Sequence, residues 1–321
     1  MKTLFPTLSL HDVRAVLLPV IAAVAPLAIM PSSAVAQVLF VTNNNYPSPG
    51  TVGSYDASTG IVENSALVTG FSGSYGLAVS GSSLYVSSYG NGTIGQYNAV
   101  TGATITAALV SGLSSPTGLA VSGSSLYVAN YGTYTIGKYD ASTGASINST
   151  LVSGVDAAGQ GIAVSGTSIY IAKYFSGAVG SYDTTTGAAI HSVLVSGLNH
   201  PWGVAISGSN LFVSYGDATG AIAEYDANTG SLINAALVSG LDKPYGIAVS
   251  GSTLYVASET SGTISSFDAT TGTLLNSALV TGLNHPEAIS IASVPEPSAT
   301  LLFAGVASLL AIAKVRFSAQ H

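Results

Sequence analysis

Apolar residues along this chain come in short runs, and turn residues interrupt them at regular intervals. From Gly76 to Gly112 the runs are LAVS, SLYVSS, TIGQYN and TAALVSG, separated by segments of Gly, Ser, Thr and Asn. Runs this short, rich in Val, Ile, Leu, Tyr and Thr and bounded by Gly, predict four β-strands joined by tight turns.

The pattern then repeats. GLAVSGSSLYV starts at Gly76 and again at Gly118, followed by GIAVSGTSIYI at Gly161, GVAISGSNLFV at Gly203 and GIAVSGSTLYV at Gly246, at spacings of 42 or 43 residues. An aromatic residue followed by Asp or Asn, just ahead of Thr-Gly, recurs at Tyr55, Tyr97, Tyr139, Tyr182, Tyr225 and Phe267. A third marker, of the type ALV-S/T-G, recurs around Leu67, Leu109, Leu151, Leu194, Leu237 and Leu279. A repeat of this size with four strands predicts a β-propeller blade. The D-x-x-T-G segments predict hairpin turns in which Asp accepts backbone N–H bonds and Gly supplies positive φ. Asp56, Asp140, Asp183, Asp226 and Asp268 are therefore read as turn caps rather than calcium ligands.

Closure of the ring is also legible. The first copy begins at VLFVTNN (Val38) with the second-strand pattern and lacks an inner strand, while AISIAS (288–293) matches GIAVS one repeat after Gly246. The expected fold is an all-β, six-bladed propeller of four-stranded blades over residues 37–293, closed by strand 288–293 completing the first blade.

Charge narrows the range of partners. Between Gln37 and Val294 the only basic residues are Lys138, Lys173 and Lys243, against twelve acidic ones. Nucleic acid is excluded, since binding it requires clustered Lys and Arg. Cysteine is absent, so neither disulfides nor thiol chemistry enter. The low charge itself follows from blades that pack through both faces, each buried Leu or Val contributing roughly 1.5–3 kcal/mol.

The segments HPWGVAISGSNLFVS (His200 to Ser214) and KPYGIAVSGSTLYVAS (Lys243 to Ser258) resemble the NHL-type repeat, with Pro-x-Gly leading into the inner strand. The resemblance spans residues 38–293. It departs from the family where Asp or Asn usually ends the second strand; here Ser88, Lys173, Tyr215 and Ser258 stand there, and Asn130 alone keeps the usual residue type among these five.

In a propeller the loops leading into the inner strands converge on one mouth of the central channel, the default ligand site. Those loops present Tyr75, Thr117, Gln160, Trp202, Tyr245 and Glu287. Trp202 is the only tryptophan, and with Tyr75 and Tyr245 it is expected to form an aromatic rim suited to a sugar ring or a partner's anchor residue, with Gln160 and Glu287 as polar neighbours. His200 and His285 share one loop position two blades apart. Some NHL-like lyases place metal-binding His at such positions, so the resemblance leaves open a metal-dependent lyase or hydrolase using His200 and His285, with Asp242 or Glu287 as third ligand. The preferred reading is a non-catalytic binding or scaffold protein without a cofactor.

The two ends bear on location. Lys2 and Arg14 precede the apolar run Ala15–Met30, and Ala34-Val35-Ala36 follows it, so residues 1–36 read as a secretory signal peptide cut after Ala36. After the last strand come Pro295-Glu296-Pro297, an apolar segment 299–313, then Lys314 and Arg316. This order resembles the PEP-CTERM sorting signal of Gram-negative bacteria, over residues 294–317. Fifteen residues of helix span about 22 Å, short of the ~30 Å hydrocarbon core, so the segment is a marginal span that holds the chain transiently. The resemblance implies an exosortase as processing partner and delivery to the cell surface or exopolysaccharide matrix; the ring itself is expected to be monomeric and to engage a polysaccharide or surface protein at its channel mouth. A permanent anchor is the alternative.

Overall fold

Each Thr-Gly turn is built by one side chain. The Oδ1 atom of Asp140 accepts the N–H groups of Ser142 and Thr143 at 3.0 and 2.8 Å and both their hydroxyls. Asn98 holds its turn in the same way, through the N–H groups of Val100 and Thr101, so the turn needs an acceptor and not a charge. The closing glycine sits where no other residue fits: Gly144 has φ +71°, and a Cβ there would stand 1.8 Å from the carbonyl oxygen of Leu109 in the preceding blade. One turn thus shapes its own hairpin and seats it against the neighbour.

The structure, a computed structural model, describes residues 37–44, 49–73, 75–156, 161–217 and 219–293. The signal segment with Ala34 and Ala36, and the tail with Pro295, Glu296, Pro297, Lys314 and Arg316, lie outside these residues, as does Gln160. The described chain forms six four-stranded antiparallel sheets and no helix. In the first blade β1 (Gln37–Asn43), β2 (Gly50–Asp56) and β3 (Val62–Phe71) follow one another outward. The second holds β4 (Leu77–Ser80), β5 (Ser83–Ser88), β6 (Thr93–Asn98) and β7 (Thr104–Val110). The third holds β8 (Pro116–Ser122), β9 (Ser125–Asn130), β10 (Thr135–Asp140) and β11 (Ser146–Ser153), and the fourth β12 (Ile162–Ser165), β13 (Ser168–Lys173), β14 (Ala178–Asp183) and β15 (Ala189–Val195). The fifth holds β16 (Pro201–Ser207), β17 (Asn210–Tyr215), β18 (Gly220–Asp226) and β19 (Leu232–Leu241), and the sixth β20 (Pro244–Ser250), β21 (Thr253–Ser258), β22 (Thr263–Asp268) and β23 (Leu274–Val280).

The last strand, β24 (Pro286–Ser293), pairs antiparallel with β1, setting Leu39 opposite Ile291 and Val41 opposite Ile289. The first blade is therefore made from both ends of the domain, as the repeat count requires. The inner strands β4, β8, β12, β16, β20 and β24 are neighbours round the ring and line the channel.

The core is divided among six joints. Leu39, Val41 and Tyr55 of the first blade pack on Tyr255, Ile264 and Val280 of the sixth, whereas Val38, Phe40 and Val52 face Leu84, Val86 and Tyr97 of the second. Because successive residues of a strand point to opposite faces, both must be apolar when both faces meet a blade. That is why β5, β9 and β21 read SLYVSS, SLYVAN and TLYVAS, buried at nearly every position, rather than alternating apolar with polar.

At the rim the outer strands run exposed for five residues and then turn inward at a Leu-Val pair. Each carries a register shift, and at four of them an Asn (Asn64, Asn148, Asn234 or Asn276) accepts the N–H two residues on. The bulge bends the edge strand and occupies one of its backbone donors, a guard against edge-to-edge pairing. His191, on β15, belongs to this exposed rim.

Two outcomes are expected. Deleting residues 288–293 strips the first blade of its inner strand, and loss of the cooperative thermal transition by circular dichroism is the predicted result; an unchanged melting temperature refutes closure by β24. Secondly, the Ser142 hydroxyl and then the Thr143 and Ser142 N–H groups hold the Asp140 carboxyl down to about 2, and Asp56, Asp183, Asp226 and Asp268 are lowered by similar bonds. A depressed folded pKa adds stability above the unfolded value of about 3.9 and loses it as pH falls toward the folded value. Stability should decline as pH drops from about 4 to 2, and Asp140→Asn, which keeps the acceptor, should lessen that decline while leaving the melting temperature at pH 7 nearly unchanged.

Candidate functional site

Ahead of five of the inner strands, β4, β8, β16, β20 and β24, the lead-in begins with a residue in the left-handed region. Gly73 fills this position ahead of β4, but Ser115, His200, Lys243 and His285 adopt it at φ +51°, +48°, +41° and +44°. For a residue with a Cβ this costs about 1–2 kcal/mol, so surrounding bonds must impose it. They do: the carbonyls of Gly73, Ser115, Lys243 and His285 accept the N–H groups of Tyr89, Tyr131, Glu259 and Asn44, the residues that follow the second strand of the same blade. Two residues distant in the repeat are thereby locked side by side at the channel mouth.

After Ser115, His200, Lys243 and His285 come a proline and then the residue that faces the mouth. Gly203, next in line after Trp202, lets the blades close up: its Cβ would lie 2.4 Å from the carbonyl oxygen of Tyr245. Its N–H is held by the buried Ser214 hydroxyl at 2.8 Å, and that hydroxyl also bonds the Tyr245 carbonyl at 2.8 Å. Trp202 and Tyr245 are thus fixed on a shared backbone bracket, one on each of two adjoining blades.

Their rings make contact. Trp202 and Tyr245 lie with centroids 4.0 Å apart, Tyr174 lies 4.4 Å from Trp202, and the His200 imidazole stacks on Tyr174 at 4.3 Å and 10°. A second arc continues the series on the other blades: Tyr75 against Tyr89 at 5.0 Å, Tyr89 against Tyr131, and Tyr131 against Tyr134. Tyr75 belongs to this second arc, and Trp202 and Tyr245 to the first. The channel holds a small cavity of about 60 Å³, lined by Trp202, Tyr245, Glu287 and residues of the inner strands.

Charged groups are set among the rings. Glu287, 6 % exposed, accepts a bond from Asn44 Nδ2 at 3.0 Å. Glu259 lies between Lys243 Nζ, at 3.4 Å, and His285 Nδ1, with which it forms a very short bond. Burial pushes the Glu259 carboxyl up, but the bonds from His285 and Thr260 and the nearby positive charges outweigh it and leave the group below its ordinary value. His200 Nδ1 meets Asp217 Oδ2 at 2.8 Å. The Tyr245 phenol is pushed well up, first by burial and then by Glu259 and Glu287; Tyr75 is raised by burial and by Glu287. The carboxylate of Glu287 thus acts on both arcs.

His200 and His285 each bind a carboxylate, but these are Asp217 and Glu259, one per imidazole, and Asp242 pairs with neither. Among the described residues no group of three or more His, Cys, Asp or Glu is placed to hold a metal ion. Tyr89, Tyr131, Tyr174, Asn44, Asp217 and Glu259 escaped the sequence reading. The signal was there: Tyr89, Tyr131, Tyr174 and Glu259 directly follow Ser88, Asn130, Lys173 and Ser258, one residue beyond the strand ends that the repeat comparison inspected.

Comparison with known proteins adds the fold and little else. The sequence profile of a family described as "Outer membrane protein assembly factor BamB" matches residues 175–311. No curated protein matches the sequence. Among solved structures, one titled "Crystal structure of Nidogen/Laminin Complex" is similar with a TM-score of 0.65 at 14 % identity, covering 80 % of this chain and 99 % of that one. A gluconolactonase from Xanthomonas campestris is similar with a TM-score of 0.54 at 18 % identity, over 66 % of this chain and 77 % of the other.

Since Trp202 is the only tryptophan, its emission reports on the mouth alone. Tyr174→Ala removes the ring that screens it and should shift that emission to longer wavelength while the thermal transition stays cooperative. An unshifted spectrum contradicts the Tyr174–Trp202 contact.

Proposed function

We propose that this protein is an exported propeller of the cell surface or exopolysaccharide matrix that binds a polysaccharide at its channel mouth without performing chemistry on it. The observation that carries this reading is the series of rings running across the mouth, with Tyr174, Trp202 and Tyr245 on three successive blades. Rings held rigidly and partly exposed offer flat apolar faces for the C–H faces of successive sugars, and they lose little side-chain entropy on binding. The nearly uncharged blade surface, rich in Ser, Thr and Asn, suits a neutral polar polymer lying alongside.

The export part of the reading rests on the sequence of the two ends. Residues 1–36 are the leader and Pro295-Glu296-Pro297 the point at which an exosortase would part the ring from segment 299–313. The match of residues 175–311 to a family described as an outer membrane assembly factor is in keeping with an exported location. The fold leaves the activity open, since one similar structure is titled a binding complex and another a gluconolactonase.

Titrating the exported protein with exopolysaccharide from its own producing cells should change the emission of Trp202. Trp202→Ala, at the centre of the row of rings, should weaken binding by roughly tenfold or more with little change in melting temperature. Full affinity in that variant rules out the mouth as the site. Intact mass of the mature protein should show residues 1–36 and the segment beyond Pro297 removed; a mass retaining 299–321 points to a permanent anchor instead.

A further inference from the structure

The aromatic mouth is not electrically neutral, and its sign restricts what can lie on it. We infer that it selects a polymer bearing protonated amines, namely a polysaccharide of hexosamine units with free amino groups; this rests on the polysaccharide-binding reading above and sharpens it. Three carboxylates, Glu287, Glu259 and Asp217, stand among the rings; Asp217 is paired with His200 and Glu259 with His285 and Lys243, whereas Glu287 accepts its bond from the neutral amide of Asn44. Glu287 is buried beside the cavity that Trp202 and Tyr245 line, and its charge reaches both the Tyr245 and the Tyr75 phenols.

Aromatic faces and carboxylates favour the same ligand charge. The face of a Trp or Tyr ring carries negative potential and attracts an ammonium group, most strongly where water is partly excluded. A buried carboxylate next to those faces adds to that attraction, and the same arrangement repels uronic acids and sulfated sugars. Trp202 lines the same cavity, and its indole N–H is shielded from solvent and without an acceptor among the described residues. A pyranose with a free amine meets both requirements, since its flat C–H face stacks on a ring while its ammonium turns toward a carboxylate. A lysine side chain meets only the second.

The test compares four probes on the exported protein by Trp202 emission and calorimetry: a glucosamine oligomer with free amines, its N-acetylated counterpart, a uronic acid oligomer and polylysine. The free-amine oligomer should bind at least roughly tenfold tighter than the N-acetylated one, with the gap shrinking as salt is added. Glu287→Gln, which keeps an acceptor for Asn44, should narrow that gap by lowering affinity for the free-amine oligomer more than for the N-acetylated one. Glu259→Gln, outside the closing strand, should narrow it in the same direction. Equal affinities for the two glucosamine oligomers overturn charge selection and leave polysaccharide binding standing. Binding of polylysine alone overturns the proposal in favour of a protein partner. Failure of every sugar, including the producing cells' own polymer, defeats the underlying reading.

Discussion

Every blade of this ring has two apolar faces and no means of covering either alone, so the structure depends on the joint between one blade and the next. Six such joints hold the whole of the core, and none can be left open. The pairing of β24 with β1 matters for this reason, because it turns a linear stack, which would end in two bare faces, into a ring with none. It also sets Ser293 opposite Gln37, so the first and last strands of the ring share one blade.

The same demand for close joints produces the site. Glycine beside the mouth residues lets adjoining backbones approach to distances that any side chain would forbid, and a buried serine ties the two strands there. Once the backbones are that close, the side chains on them have no choice but to stack, and the rings of Trp202, Tyr245 and Tyr174 do so. Left-handed residues at Ser115, Lys243 and His285 add strain that backbone bonds within each blade support. A mouth assembled in this way is rigid before any ligand arrives, which favours affinity by reducing what must be ordered on binding.

Much of this was legible in advance. The repeat spacing, the truncated first copy and the matching terminal strand together identify six blades and their closure, since each blade repeats the same local pattern and a period needs no long-range information. The Asp and Asn turn caps were equally legible, because their bonds run to residues two and three positions on. The mouth was legible only by halves. The lead-in residues Tyr75, Trp202, Tyr245 and Glu287 stood out by their variation, whereas Tyr174 and Glu259 did not, although they sit directly beside them.

By itself, then, the sequence determined the strand type, the number of blades, the turns and the order in which the blades close, all of which follow from local pattern repeated at a fixed interval. Only the tertiary structure decided which side chains meet at the mouth: that Tyr174 lies against Trp202, that Tyr75 joins a separate arc, and that His200 and His285 are held by Asp217 and Glu259. The physical reason is that these contacts form between the end of one strand and the beginning of another, or across a joint between blades. Their distances are set by backbone packing around a closed ring, and sequence separation carries no trace of that.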